Sequence, residues 1–276
     1  MAKQTGIHGL RGKVNGMSYY SSKNGGSLVR KINEGLGERV KSSREYFNTR
    51  KNNAEFGAAG DFAGKFIGTI SQRWRFILDS IATGKMVAAA KRAIQQDASN
   101  PWGERIIPTD AYSMLRDEFN SLSKNEMPEV LASLGLSVLK FDATAGKLFA
   151  SADVAVGEDL SEELNAMGAD GFDIDVYHYK IGMPIYDDAT NLYLKASAQL
   201  TLLNAFSVAV SDITADTDVI QANASNVDTA YSNGDTGEFN CLFILFRPKR
   251  IVNGIASVLQ QHCAGAVYVP GTGTME

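Results

Sequence analysis

The N-terminal third of the chain constrains it most, because charge and glycine stand there where a self-sufficient fold would need a core. Residues 1–92 hold seventeen lysines and arginines against six acids, a surplus of eleven positive charges. The remainder holds ten against twenty-five, a deficit of fifteen, which restores the net charge of −4. Gly6, Gly9, Gly12, Gly16, Gly25, Gly26, Gly35 and Gly37 separate only short apolar groups such as Val14, Met17, Tyr19 and Tyr20, or Leu28, Val29 and Ile32. Ordering a residue costs about 1–2 kcal/mol, and so few apolar side chains do not offset that unaided. The expectation is an extended basic arm over residues 1–44 that gains order against neighbouring copies of the same chain. Its contact residues are read as Arg11, Lys13, Tyr19, Tyr20, Arg30, Lys31 and Arg50. Residues 151–276, with five bases against seventeen acids, supply surface of the opposite sign.

The hydrophobic pattern changes period twice along the chain. In the arm, Lys13-Val14-Asn15-Gly16-Met17-Ser18-Tyr19-Tyr20 and Gly26-Ser27-Leu28-Val29-Arg30-Lys31 read as two strands around a turn at Ser22-Lys23-Asn24-Gly25-Gly26. A lone hairpin is marginal in water and needs another surface. A polar helical connector follows over residues 44–56. Phe62, Phe66, Ile70, Trp74, Ile77 and Ile81 then recur at steps of three and four, marking one helix face. Gly84 reads as a cap or kink, and Thr109 or Asp110 as the N-cap of a further helix through Leu115, Phe119 and Leu122. Residues 45–134 are thus expected to be a helical segment.

From residue 135 the pattern becomes that of strands. Leu136-Ser137-Val138-Leu139-Lys140-Phe141 and the run from Lys147 to Val154 flank a turn, and Phe172-Asp173-Ile174-Asp175-Val176-Tyr177 alternates as a half-buried strand does. Cys241-Leu242-Phe243-Ile244-Leu245-Phe246 is apolar on both faces and reads as a central strand. Short strands between Gly, Asn and Asp loops favour an antiparallel β-sandwich over residues 135–276, so the fold class is α+β with three parts.

At 276 residues and 44% hydrophobic, the chain is long enough for a substantial core. Cys241 and Cys263, the only cysteines, suit reduced buried residues better than a disulfide framework. The start of the chain shows no secretory pattern and no apolar run reaches the roughly 18 residues of a membrane span, so a soluble protein made in a cytoplasm is expected.

Catalytic constellations are sparse. His8, His178 and His262 have no second ligand at metal spacing, and no nucleophile elbow or phosphate loop occurs. Asp173 and Asp175 share a strand face and supply hard oxygen ligands for a divalent cation, but alternation alone predicts them as the solvent face. Arg73-Trp74-Arg75 suits stacking on nucleobases, yet Trp74 falls on the apolar helix face and reads as packing. The arm's cations are spread among glycines and tyrosines, which favours acidic protein surface over phosphate backbones as their partner. No catalytic, cofactor or metal residue is assigned. A competing binding-module reading uses Tyr177, Tyr179, Tyr186 and Tyr193 as glycan-stacking platforms.

The N-terminal residues carry a resemblance. Met1-Ala2-Lys3-Gln4-x-Gly6-Ile7-x-Gly9-Leu10-x-Gly12-Lys13-Val14-x-Gly16, then Tyr19-Tyr20, Leu28-Val29-Arg30 and Thr49-Arg50-x-Asn52-x-Ala54-Glu55-Phe56-Gly57, resemble the N-terminus of an uncharacterised family. That family occurs in Bacteroides-type bacteria and their tailed phages, crAss-like phages included. The resemblance covers residues 1–60; beyond them a helical part and an immunoglobulin-like C-terminal part match in outline. It implies a virion structural protein without enzymatic activity, made in the bacterial host cytoplasm. The expected role is a ring subunit of the neck or tail at the head-tail connector, or alternatively an auxiliary capsid-decorating protein. Its implied partners are identical subunits and portal, tail or capsid proteins, with no membrane.

Overall fold

The computed structural model describes residues 2–3, 11–22, 26–125, 136–142, 147–152, 164–209, 220–223 and 238–268. The chain divides into two compact units, Met1–Asn53 and Ala54–Glu276.

The first unit opens with β1 (Ala2–Lys3), β2 (Gly12–Val14), β3 (Met17–Ser22) and β4 (Gly26–Lys31), an antiparallel sheet in the order β1-β4-β3-β2. The run from Lys13 to Tyr20, expected as one strand, is broken by a turn at Asn15 (φ 48°) and Gly16 (φ 71°). Both turn residues take the left-handed conformation that Asn-Gly accepts and that matches strand twist, so β2 and β3 form a hairpin of their own. The helix α1 (Leu36–Ser42) and a 3-10 turn, Arg44–Tyr46, lead into α2 (Phe47–Trp74).

The second unit holds most of α2, then α3 (Ala82–Gln95) and α4 (Tyr112–Asn120). Ten strands follow among the described residues: β5 (Leu136–Asp142), β6 (Lys147–Ala152), β7 (Gly171–Gly182), β8 (Tyr186–Asp187), β9 (Leu192–Tyr193), β10 (Ala198–Ala209), β11 (Ile220–Asn223), β12 (Glu238–Val252), β13 (Ile255–Val258) and β14 (Ala264–Tyr268). The main sheet runs β10-β7-β12-β13, and β14 also pairs with β12. β5 and β6 pair as expected, with the turn between them outside the described residues, and β11 joins β6.

Helices and main sheet build one core, so the expected division at residue 134 is not how the unit is made. Phe62, Phe66, Ile70 and Trp74 of α2 pack with Met86 and Ile94 of α3, Leu115 and Phe119 of α4, and Tyr177, Tyr179, Phe239, Cys241, Phe243 and Leu245 of the sheet. These sheet residues are odd-numbered and share one face, as alternation requires. Even-numbered Phe172, Ile174, Val176, Leu242, Ile244 and Phe246 are buried on the other face. Each face is apolar over a different part of the strands, and the parts overlap at Cys241-Leu242-Phe243-Ile244-Leu245-Phe246. The half-buried strand expected at Phe172 is therefore covered on both sides.

The continuous helix face read through Ile81 is interrupted. α2 ends at Trp74 (φ −135°), and residues 75–79 turn to bond residues 122–124: Asp79 N–H donates to Leu122 O at 3.0 Å and Lys124 N–H to Ile77 O at 2.8 Å. Ile77 stays buried while Ile81, just before α3, is 54% exposed. Gly84 sits in the first turn of α3, where it neither caps nor kinks. Neither Thr109 nor Asp110 caps a helix through its side chain; both lie in a 3-10 turn that precedes α4.

A buried carboxylate ties the helical layer together. Glu55, on α2, is fully buried and accepts from Lys91 Nζ at 2.6 Å, Arg105 Nε at 2.8 Å and Nη2 at 2.9 Å, and Gly103 N–H at 2.8 Å. Burial alone pushes this carboxyl up, but the bonds from Arg105, Lys91 and Gly103 outweigh it and hold the carboxyl below its ordinary range. At the sheet edge, Asn120 exchanges two hydrogen bonds with Val267 of β14, at 2.8 and 3.2 Å, covering backbone groups that an edge leaves open. No helix among the described residues is long and apolar enough to cross a membrane.

Candidate assembly surfaces

The arm sheet presents two unlike faces. Register pairs Val14 with Met17, Tyr19 with Val29 and Met17 with Lys31, so Val14, Met17, Tyr19 and Val29 line one face, with Lys31 beside Met17. Lys13, Ser18, Tyr20, Leu28 and Arg30 line the other, where the Arg30 guanidinium lies 5.6 Å from the centre of the Tyr20 ring. Among the described residues 11–53 none is buried. A sheet open to water on both faces forgoes the apolar burial that normally offsets chain ordering. Arg11, Lys13, Tyr19, Tyr20, Arg30 and Lys31 all belong to or border this sheet.

Arg50 departs from that group. Its Nη1 donates to Val40 O at 2.9 Å and Ser43 O at 2.7 Å, satisfying carbonyls where α1 ends. Its guanidinium holds α1 against the start of α2 and is spent inside its own unit.

On the second unit, large apolar side chains are exposed in two hairpins. In β8–β9, Tyr186 pairs with Tyr193, and the rings meet edge to face at 5.3 Å. Tyr193 packs on the core and donates its hydroxyl to Arg105 O at 2.8 Å. Alternation then turns Ile185, Leu192 and Leu194 outward, and Leu192 is 66% exposed. Asp187 and Asp188 border them. The Asp187 carboxyl is held below its ordinary range by bonds from the Thr190 hydroxyl and the Ala189 N–H, so it stays ionised. The second hairpin, β12–β13, turns at Asn253 and Gly254, both with positive φ, and exposes Ile251, Val252, Ile255 and Val258 next to Lys249 and Arg250.

The residues weighed for chemistry lie elsewhere in the second unit. Asp173 and Asp175 are not a solvent face. Arg247 Nη2 lies 2.7 Å from Asp175, Lys249 Nζ donates to Asp173 at 2.7 Å and also to Ser207, and Tyr177 donates to Asp175 at 3.2 Å. The two cations balance the charge that a divalent metal would otherwise balance, and no group of three metal-capable residues occurs among the described residues. The Arg247 Nε is buried without a partner.

Tyr177 and Tyr179 are not exposed glycan platforms, because the helices cover their face of the sheet. Burial pushes the Tyr177 hydroxyl up to about 12, and Tyr179 donates to Phe66 O at 2.6 Å. Trp74 packs on Tyr177 and Phe243 at 4.9 and 5.4 Å, so its ring is core and not a nucleobase platform. The His178 ring nitrogen lies 3.2 Å from Asn240 Oδ1, and burial lowers its basicity. Burial also pushes up both thiols, Cys263 to about 11. No family model, curated protein or solved structure matches the chain.

Proposed function

We propose that this chain is a non-enzymatic structural subunit of a tailed-phage virion that closes into a homomeric ring in the neck or tail. The observation that carries the assembly role is the arm sheet, four strands without a buried residue among those described. Such a sheet gains its missing burial from another chain. Charge supports the same reading. Met1–Asn53 holds eleven bases against three acids, and Ala54–Glu276 holds sixteen against twenty-eight. Opposite surpluses favour head-to-tail contacts, which close into rings when the rotation permits. The phage setting rests on the resemblance of residues 1–60.

The immunoglobulin-like sandwich expected of the C-terminal part enters this proposal as a second layer. The sheet β11-β6-β5 is taken to cover the even-numbered face of β7 and β12, which is buried and carries none of the helical core. Cryo-EM of the intact virion tests the functional reading. A ring of this chain at the neck or tail is expected. Absence of the chain from the particle overturns it, and shell-scale copy number moves the protein to capsid decoration.

A further inference from the structure

We infer that the arm sheet of one copy docks on the outward face of the β8–β9 hairpin of a second copy. The inference rests on the assembly reading above and names the address that reading leaves open.

The two surfaces match in kind. The arm offers Val14, Met17, Tyr19 and Val29 on one face, with Val14 and Met17 exposed and Lys31 among them. The hairpin offers Ile185, Leu192 and Leu194, all exposed, with Asp187 and Asp188 alongside. Residues 183–197 contain those two carboxylates and one base, Lys195. Glu104 adds a third carboxylate close enough to act on the Tyr186 hydroxyl. Apolar contact supplies attraction, and opposite charges at the rim set orientation and speed encounter.

Charge also argues against the other docking partners for the arm. The β12–β13 hairpin is comparably apolar, with Ile255 72% exposed, but it offers no acidic surplus to a basic arm: Lys249 is paired with Asp173, Asp170 is engaged by the Ile251 N–H, and Arg250 stands beside them. A second arm sheet carries the same positive surplus. The acidic hairpin is an exposed apolar surface whose sign complements the arm.

Single-cysteine variants in separate copies test the address. Met17→Cys in one tagged copy and Leu192→Cys in another are mixed, assembled and oxidised; the native Cys241 and Cys263 are buried and stay silent. A disulfide-linked heterodimer is expected. Predominant Met17→Cys homodimers overturn the proposal by showing that arms pair with arms. In a chain carrying both Met17→Cys and Leu192→Cys, an intramolecular disulfide as the sole product overturns it by placing the contact within one chain.

A charge-reversed copy supplies the independent arm. Asp188→Lys is expected to weaken assembly by about tenfold, and Lys31→Glu in the same chain to restore it. Arg250→Glu, on the other hairpin, is expected to leave assembly unchanged, and a tenfold loss there overturns the address. Assembly that needs the arm but yields no cross-link sinks this inference while leaving the assembly reading intact. A chain that stays monomeric at every concentration removes both.

Discussion

Arg105 grips Glu55 through two parallel hydrogen bonds, Nε to Oε1 at 2.8 Å and Nη2 to Oε2 at 2.9 Å. The pair joins α2 to the loop after α3, and Lys91 of α3 completes it from the other side at 2.6 Å. Glu55 occupies a position on the same stripe as Ala59, Phe62 and Phe66, so the helix delivers a full charge into its own core. Such a charge is tolerable only when its partners and hydrogen bonds are all in place. Glu55 is thus a structural anchor of the helical layer.

Removing one partner of this network exposes the cost. Glu55→Gln leaves Lys91 and Arg105 without their counter-charge, and breaking a buried pair in this way costs about 3–5 kcal/mol. Urea unfolding should show a lower midpoint of that size. An unchanged midpoint would mean that water reaches the site and screens it.

Acid should act through the same group. Asp97, after α3, is nearly buried, which raises its carboxyl, but bonds from the Asn100 side chain and the Ser99, Asn100 and Ile106 N–H groups outweigh that. Glu55 and Asp97 thus both lie below their ordinary values of 4.5 and 3.8 in the folded chain. A lowered carboxyl contributes stability that is fully present above its unfolded pKa and is lost as pH falls through the folded one. Stability from these two groups should therefore hold steady from neutral pH down to about pH 5 and decline below it. In Glu55→Gln the decline should be shallower, measured by urea midpoints across that range.

Gly265 tests how closely β14 packs on the helical layer. A Cβ there would stand 2.6 Å from Ile77 Cδ1 and 3.1 Å from the Phe243 ring. Gly265→Ala should destabilise by about 1–3 kcal/mol, as overpacking does. Adding Ile77→Val should recover part of the loss, and independence of the two changes would show that the contact relaxes freely.

Much of this architecture was legible in residue spacing. Phe62, Phe66, Ile70 and Trp74 fall on the buried face their periodicity marks, and the doubly apolar run at Cys241 is the central strand. What the pattern hid depended on distant partners. The bridge between residues 75–79 and 122–124 ends α2 at Trp74, and nothing in the local sequence announces those partners. Asp173 and Asp175 alternate like a solvent face, yet Arg247, opposite Asp173, and Lys249, opposite Gly171, reach diagonally along the neighbouring strand to pair with Asp175 and Asp173. The Asn15-Gly16 turn was visible in the residues themselves, since the same dipeptide signals the next hairpin. For the assembly surfaces, the basic character of the arm is plain in sequence. Which arm residues share a face requires the register, and Arg50's role requires the end of α1.

Trp74 separates core from interface. It packs on Tyr177 and Phe243 and is nearly buried within a single chain. Trp74→Ala should cost about 3–5 kcal/mol in the isolated monomer, read from thermal or denaturant unfolding. Loss confined to the assembled form would place the ring at an intersubunit contact instead.

The arm should be expendable for folding and indispensable for assembly. Met1–Asn53 forms its own compact unit, and none of its described residues is buried. Deleting residues 1–30 should leave the unfolding transition of the second unit where it was. In the isolated full-length monomer, trypsin should cut first at Lys13, Arg30 and Lys31, because a sheet without burial opens at little cost. In the assembly those sites should be protected, since the same side chains are then covered. Charge pairing across copies is screened over about 8 Å at physiological ionic strength and over shorter distances as salt rises, so assembly should weaken with added salt. Sedimentation of the full chain and the deletion variant across a salt series measures this directly. A deletion variant that assembles like the full chain would show that the arm is not what joins the copies.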